Sequence, residues 1–559
     1  MAKKLLSLLR REPNGVHEAA ILMGVFALFS QVFAVIRDWT LAHNFGASRV
    51  LDIYFAAFRT PDILFAGVAS FMAAVVIVPI LTKHAAESDE HAKKFLNDVF
   101  TIFFIILVLA AIGLFFAVPF VTKTFFHEFD AASQGNLIVV TRVLLLSPVF
   151  LGLSNLFSSV AQKLNRFFAF LLAPILYNFG IIAGAVFLYP AFGVVGIAWG
   201  AVFGAFLSFF VYFFISARDE FFLTLSFRPS FTDLWDVIRG AFPRAVSLLT
   251  SQLALFALII FAAKMQEGSV TIFSFAFNLQ SIPLLIIGTS YITAAFPIFS
   301  KHSFEDGGKK YVEQVINASR HLVFWLIPAF IFFIILRAQI VRVILGTGLF
   351  GYSAIRLTAA ALAIFSLSII AQSLGLLLLR GLHAVGDNVL PAIIGVLSSS
   401  VIVLFGYELI SGYAHSLFLQ NFIGILFRVD GAPGAQVLML PLAYSAGMII
   451  NLILLVYLFK RRFGYSLFSE LRDTFVVSSF ASLLAGFVTY EFLVVLGIYL
   501  NLQTAKGIFF QGLIASLAGA ITWWLVLVVF RNKDVEEIRH TLHRRLWKAG
   551  ITIPDREEI

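Results

Sequence analysis

The 559-residue chain has no cysteine, which excludes disulfides, thiolate metal sites and a cysteine nucleophile. Charge is scarce too, with 13% of residues Asp, Glu, Lys or Arg, against about 25% in soluble domains. There is no HExxH pair, Walker phosphate loop or GxSxG elbow, so the zinc-hydrolase, nucleotide-hydrolase and serine-hydrolase centres that use them are excluded. With no set of acid, base and nucleophile, the chain reads as a transporter, not an enzyme, and calls for no cofactor. The opening MAKKLLSLLRREPNG has no small-residue cleavage site and reads as a retained segment instead of a removed signal.

What the chain has in abundance is apolar sequence: 60% hydrophobic residues, including 65 Phe. A crossing of the bilayer takes about 20 mostly apolar residues, and the pattern predicts an all-α polytopic membrane protein of fourteen spans. They fall near 17–43, 51–81, 96–122, 134–162, 167–189, 192–216, 237–263, 269–298, 313–336, 353–384, 388–412, 437–459, 474–499 and 507–530. The formal charge of +9 is better explained by loop placement than by nucleic acid. Lys3, Lys4, Lys93, Lys94, Lys309, Lys310, Lys460, Arg461 and Arg462 gather with the basic tail 531–559 on one side. Only Arg49, Lys123, Lys264, Arg337, Arg342, Arg428 and Lys506 fall on the other. The positive-inside rule therefore makes both termini cytoplasmic. The tail is expected to lie beside the membrane against anionic head groups.

Internal repetition suggests a duplicated bundle. Val78-Pro79-Ile80-Leu81-Thr82-Lys83-His84 is echoed by Phe296-Pro297-Ile298-Phe299-Ser300-Lys301-His302, about 218 residues later. Leu164-Asn165-Arg166 before Pro174 is echoed by Leu382-His383-Ala384 before Pro391. Gly193-Val194-Val195-Gly196 is echoed by Gly431-Ala432-Pro433-Gly434, displaced by a longer connection from about 413 to 436. The expected organisation is a cytoplasmic start (1–16), a first six-helix lobe (17–216), a second (237–459), two further spans (474–530) and the basic tail (531–559).

The segment 36–81 sets Arg37, Asp38, Asp52, Arg59 and Asp62 among apolar runs. An ionised side chain at the centre of a spanning helix costs about 2.5–3.5 kcal/mol on insertion scales, so such groups face a bundle interior or a watery cavity. Positions 52, 59 and 62 share a helical face, and Arg142 on the fourth span lies at similar depth. Two readings stand side by side. The arginines meet an anionic group, for which a guanidinium's fork of donors suits phosphate. Alternatively, Arg37 pairs with Asp38 or Asp52, and Arg59 with Asp62, to neutralise buried charge. The second half offers Gln252, Asn278, Gln280, Gln372 and Asn451, expected as interhelical glue. Spans seven and twelve carry no Asp or Glu, so carboxylate ligands for sodium are lacking there.

Arg37-Asp38, Leu41-Ala42, Phe45-Gly46-Ala47-Ser48, Asp52, Ala57-Phe58-Arg59, Pro61 and Val78-Pro79-Ile80-Leu81 together resemble the opening of the MurJ (MviN) lipid II flippases. That family belongs to the multidrug/oligosaccharidyl-lipid/polysaccharide exporter superfamily. Arg380-Gly381 with Ala384, Asp387 and Pro391 resembles a later stretch of it. The resemblance implies alternating access for an undecaprenyl-pyrophosphate-linked saccharide in a bacterial inner membrane, with the lipid tail along spans thirteen and fourteen. It also implies partners in the bilayer and among cell-wall synthesis proteins. Arg37 matches a cavity arginine, Asp52 and Arg59 match charged positions, and Asn278 stands where the family has an arginine. Phe65 and Ala66 replace an arginine pair, and Ser70-Phe71 replaces Glu-Gly. The rival functions are an exporter of amphipathic small molecules and a non-transporting scaffold.

Overall fold

The computed structural model describes residues 16–69, 88–163, 167–218, 231–293 and 308–530, with 226, 295 and 299 as isolated positions. Every regular element among them is helical. In chain order the α-helices of eight or more residues begin with α1 (Val16–Phe45), α2 (Arg49–Leu64), α3 (Asp89–Phe125), α4 (Ala131–Leu144), α5 (Leu146–Lys163), α6 (Phe167–Ala183), α7 (Val194–Arg218), α8 (Phe231–Ala263) and α9 (Ser269–Pro283). Then follow α10 (Lys309–Ile335), α11 (Arg337–Ile344), α12 (Tyr352–Ser366), α13 (Ile369–Ala384), α14 (Val389–His415), α15 (Leu417–Phe427), α16 (Met439–Phe463), α17 (Leu467–Tyr499) and α18 (Ala505–Val529). Helices suit this composition because hydrocarbon offers no partner for backbone N–H and C=O groups, and a helix satisfies them internally.

Among the described residues, eleven helices are long and apolar enough to cross a membrane, or twelve if α12 and α13, bent by 43°, make one span. Fourteen were expected. The second expected span, 51–81, is described only to Ala69. The paired motifs at 78–84 and 296–302, Asn165-Arg166, and the two tails fall largely or wholly outside the described residues.

The two halves reuse local devices. Pro61 sits inside α2 and Pro283 ends α9, and each helix passes into a widened π-type turn, Phe65–Ala69 after α2 and Leu284–Thr289 after α9. Proline removes one ladder hydrogen bond and crowds the preceding turn, which favours such a local adjustment. The packing recurs as well. In the first half α6 lies against α1 and α7; in the second, α14 lies against α8 and α16. The largest apolar core joins the halves, with Leu41, Ala42 and Phe55 packed with Phe275, Phe350, Leu357 and Phe365. Phe55 on α2 meets Phe275 on α9 edge to face at 5.3 Å. α17 and α18 pair with each other, and α17 lies against α10 through Ala481, Ala485 and Phe324.

Two helix features come directly from small polar and apolar residues. Asp130 caps α4, accepting from the Ser133 backbone N–H at 3.1 Å. Hydrogen bonding from Ser133, side chain first and backbone second, lowers that exposed carboxyl below the usual range. The α6–α7 contact is built on glycine. A Cβ added at Gly180 would meet the Gly204 Cα at 2.4 Å, and one at Gly200 the Gly180 carbonyl oxygen at 2.5 Å. The backbones touch because no side chain separates them, as in small-residue helix packing within membranes.

Gly200→Val should therefore lower the melting temperature of the purified protein, with overpacking costing about 1–3 kcal/mol. Gly113→Ala on α3, where an added Cβ meets nothing within 4 Å, should leave it unchanged or slightly raised, because alanine is the better helix former.

Candidate substrate site and latch

Arg37 and Asp38 occupy the second half of α1. The Arg37 Nε and one terminal nitrogen both donate to Asp38 Oδ1, at 2.9 and 2.7 Å. The other terminal nitrogen donates to Asn178 Oδ1 on α6 at 2.9 Å. Asp38 Oδ2 accepts from Asn278 Nδ2 on α9 at 3.1 Å. One polar chain thus runs Asn178–Arg37–Asp38–Asn278 and ties α6, through α1, to the second half of the molecule. The Arg37 side chain is 19% exposed and that of Asp38 5%, so the arginine keeps some access to whatever fills the space beside it.

Arg59 and Asp62 form a second, looser pair on α2 at 3.6 Å. The Arg59 Nε is buried without a hydrogen-bond partner. Tyr54 and Tyr177 stand within electrostatic reach of Arg37 and Asp62, which gathers both ion pairs into one neighbourhood. Two cations and two carboxylates cancel there, and a bound phosphate would have to draw an arginine away from its carboxylate.

Asp52 does something else. It was expected to share the arginine pocket, with Arg37 as one possible partner, but it reaches across to the start of α9 instead. Its Oδ2 accepts from the Gly268 N–H at 2.7 Å, and its Oδ1 from the Thr271 N–H at 2.9 Å and the Thr271 hydroxyl at 2.7 Å. Helices begin with unpaired N–H groups that the first residue's side chain usually satisfies. α9 begins on Gly268, which has none. Gly268 adopts φ +88, and a Cβ there would strike the Ala47 carbonyl oxygen at 2.7 Å. The glycine admits the α1–α2 turn, and Asp52 supplies the missing cap from another helix, with the helix dipole favouring its charge.

More contacts close the same end of the bundle. The Arg49 N–H donates to Glu267 Oε1 at 2.8 Å, and the Arg49 guanidinium lies 4.4 Å above the Phe129 ring. The Leu349 N–H donates to the His43 carbonyl at 3.0 Å, and the His43 ring shares a 3.2 Å contact with Thr347 Oγ1. Gly46 and Gly348 permit this approach, both with positive φ and with no room for a side chain.

Arg142 stands apart from both groups. Its Nε donates to the Phe115 carbonyl at 3.1 Å and its guanidinium covers the Phe115 ring at 4.4 Å, because its face of α4 turns toward α3. In the second half, Gln372 Nε2 donates to Gln280 Oε1 at 3.1 Å and Ser368 Oγ at 2.8 Å, while Tyr444 donates to Gln372. Asn451 donates to Ser398. These amides join helices to one another, whereas Asn278 joins the charged cluster. Asn178, Thr271, Tyr54 and Tyr177 were not singled out from the sequence. Asn178 alone carried a signal, as an amide inside the apolar run FLLAPILYNFG.

The profile of the family described as lipid II flippase MurJ matches residues 41–510. The chain belongs to that family. A probable lipid II flippase MurJ of Buchnera aphidicola subsp. Schizaphis graminum is 26% identical over 415 residues, covering 71% of this chain and 79% of the relative. One from Thermotoga maritima is 24% identical, covering 83% and 95%. A solved structure of lipid II flippase MurJ in an inward closed conformation superposes with a TM-score of 0.71 at 20% identity, covering 92% of this chain and all of that one. A MATE family multidrug resistance transporter in an inward-facing conformation superposes at 0.63 with 16% identity. At such identities the two structures establish the shared fold. The chain is accordingly a multi-pass membrane transporter of the MurJ family, and Asn278 sits directly on its charged cluster.

Asp52→Ala should weaken the latch. Loss of a helix cap costs about 0.5–2 kcal/mol, so nitroxide labels on Asn44→Cys and Lys264→Cys should gain a longer-distance population when Asp52 is removed. An unchanged distance distribution would mean that the apolar contacts close this end without it.

Proposed function

We propose that the chain moves lipid II, or a closely related polyprenyl-diphosphate-linked saccharide, across the bacterial inner membrane by alternating access for envelope synthesis. The observation that carries this reading is the polar chain Asn178–Arg37–Asp38–Asn278, buried between the two halves below a closed latch. A charged cluster enclosed between halves and shut off at one end is what a carrier with a phosphate-bearing cargo needs. Arg37 and Arg59 supply the donors for the diphosphate. Asp38 and Asp62 hold them neutral while the site is empty, and release of those pairs accompanies binding. Asp52 belongs to the gate.

We read 17–216 and 237–459 as two six-helix lobes and 474–530 as the wall of a lipid-tail groove. Segments 1–16 and 531–559 lie on the cytoplasmic side, and the latch at the outer surface. The placement of basic residues supports that orientation. Because this chain is free of cysteine, it can be checked by single introductions. Ser88→Cys and Ser466→Cys should resist an impermeant thiol reagent in intact cells, and Ala505→Cys should react. Labelling of Ser466→Cys from outside would reverse the assignment.

Cancellation of charge in the cluster favours, as a second reading, an exporter of amphipathic small molecules, which the MATE-like neighbours illustrate. Complementation of cells depleted of their own lipid II flippase separates the two, since a drug exporter would not restore growth.

The role of Arg37 can be isolated from its structural one. Arg37→Ala alone leaves Asp38 buried without its partner, at a cost of about 3–5 kcal/mol, and should lower expression or melting temperature. Adding Asp38→Asn should recover stability while complementation stays lost. Recovery of both stability and growth in the double variant would show that the arginine neutralises a neighbour and touches no cargo.

A further inference from the structure

The connection between α14 and α16 contains α15, an eleven-residue apolar helix, LFLQNFIGILF, with no charged residue. Leu417, Phe418, Phe422, Ile425 and Leu426 are exposed by 75, 79, 50, 70 and 54%. At 100° per residue these positions and Asn421 fall within one half of the helix circumference. The opposite half carries Ile423 and Gly424, both buried. Gly424 lies so close to Asp430 that an added Cβ would meet its Oδ1 at 2.4 Å. α15 is thus apolar on both sides: Leu419, Ile423 and Phe427 pack toward the protein, and a second apolar face is turned away from it among the described residues.

Several observations identify what covers that face. Eleven residues rise about 16 Å, half the roughly 30 Å of a hydrocarbon core, so the helix is too short to cross. It follows α14, a spanning helix, whose exposed Leu397, Leu404 and Phe405 form an apolar outer surface. Glu408 and Tyr407 are exposed nearer its end. Basic residues flank α15, with His415 before it and Arg428 after it, both exposed. Arg428 takes φ 57 and ends the helix. Its carbonyl accepts from the Arg356 Nε and a terminal nitrogen, at 3.0 and 2.6 Å, which fixes that end to α12. The following loop brings Gly434 against Gln266, next to the latch residues Glu267 and Gly268.

We infer that α15 lies flat in the boundary of the outer leaflet, its face of Leu417, Phe418, Phe422, Ile425 and Leu426 among lipid acyl chains and His415 and Arg428 at the phosphate level. Interfacial helices bind this way, by apolar burial on one side and basic residues near head groups. Through Arg428, Arg356 and the 428–434 loop, the helix anchors the closed end of the bundle to the lipid surface. The choice of leaflet rests on the orientation proposed above, whereas the insertion itself depends on neither orientation nor cargo.

The test uses the full chain in lipid nanodiscs, with a nitroxide attached to Phe418→Cys or Ile425→Cys. Leu404→Cys serves as the lipid-facing reference and Gln503→Cys, in the α17–α18 connection, as the aqueous one. Both α15 labels should be as accessible to oxygen as the Leu404 reference, protected from a water-soluble nickel chelate, and about 5–10 Å below the phosphates. Nickel accessibility equal to the Gln503 reference would put the face in water and overturn the inference. Protection from both reagents would show a protein partner there and overturn it equally.

Discussion

A carboxylate that caps a helix other than its own ties the two halves together at one end of this molecule. Asp52 makes three hydrogen bonds to the start of α9 and is almost fully buried in doing so. Once it is there, the α1–α2 turn is pressed against 265–268, Arg49 is within reach of Glu267, and the His43–Leu349 contact follows from the same closure. The interaction is strong where water is excluded and weak once water can compete for the N–H groups. A contact with that property suits a gate, because the first opening makes further opening easier.

The inner cluster obeys a related constraint with a different outcome. Arg37 cannot stay charged and unpaired between apolar helices, so its neighbour in sequence neutralises it, and two amides complete the donors and acceptors. Asn278 adds a donor to Asp38 without adding charge. With Arg37 paired to Asp38 and Arg59 to Asp62, the cluster carries no net charge as it stands.

The fold class was legible because long apolar runs admit one solution in hydrocarbon, and charges inside such runs could be noticed one at a time. Their partners could not. Asp52 and Arg37 were plausible mates by depth, yet Asp52 binds main-chain N–H groups of Gly268 and Thr271, and no side-chain pattern advertises a bare amide. Arg142 had the right depth on the wrong face, a distinction set by how α4 rotates against α3. Asn178 was readable as a polar residue in an apolar run, but its relation to Arg37 needed the packing of α6 on α1. α15 hid inside what looked like a loop because its length is short of a span.

The glycine contact between α6 and α7 carries a mechanical consequence. Side chains that interdigitate can slide by exchanging rotamers, whereas backbones in direct contact have no compliant layer between them. Gly180, Gly200 and Gly204 therefore make these two helices a stiff beam. Since α6 also holds Asn178 against Arg37, this rigid pair offers the Arg37 guanidinium an acceptor whose position is fixed by backbone contact.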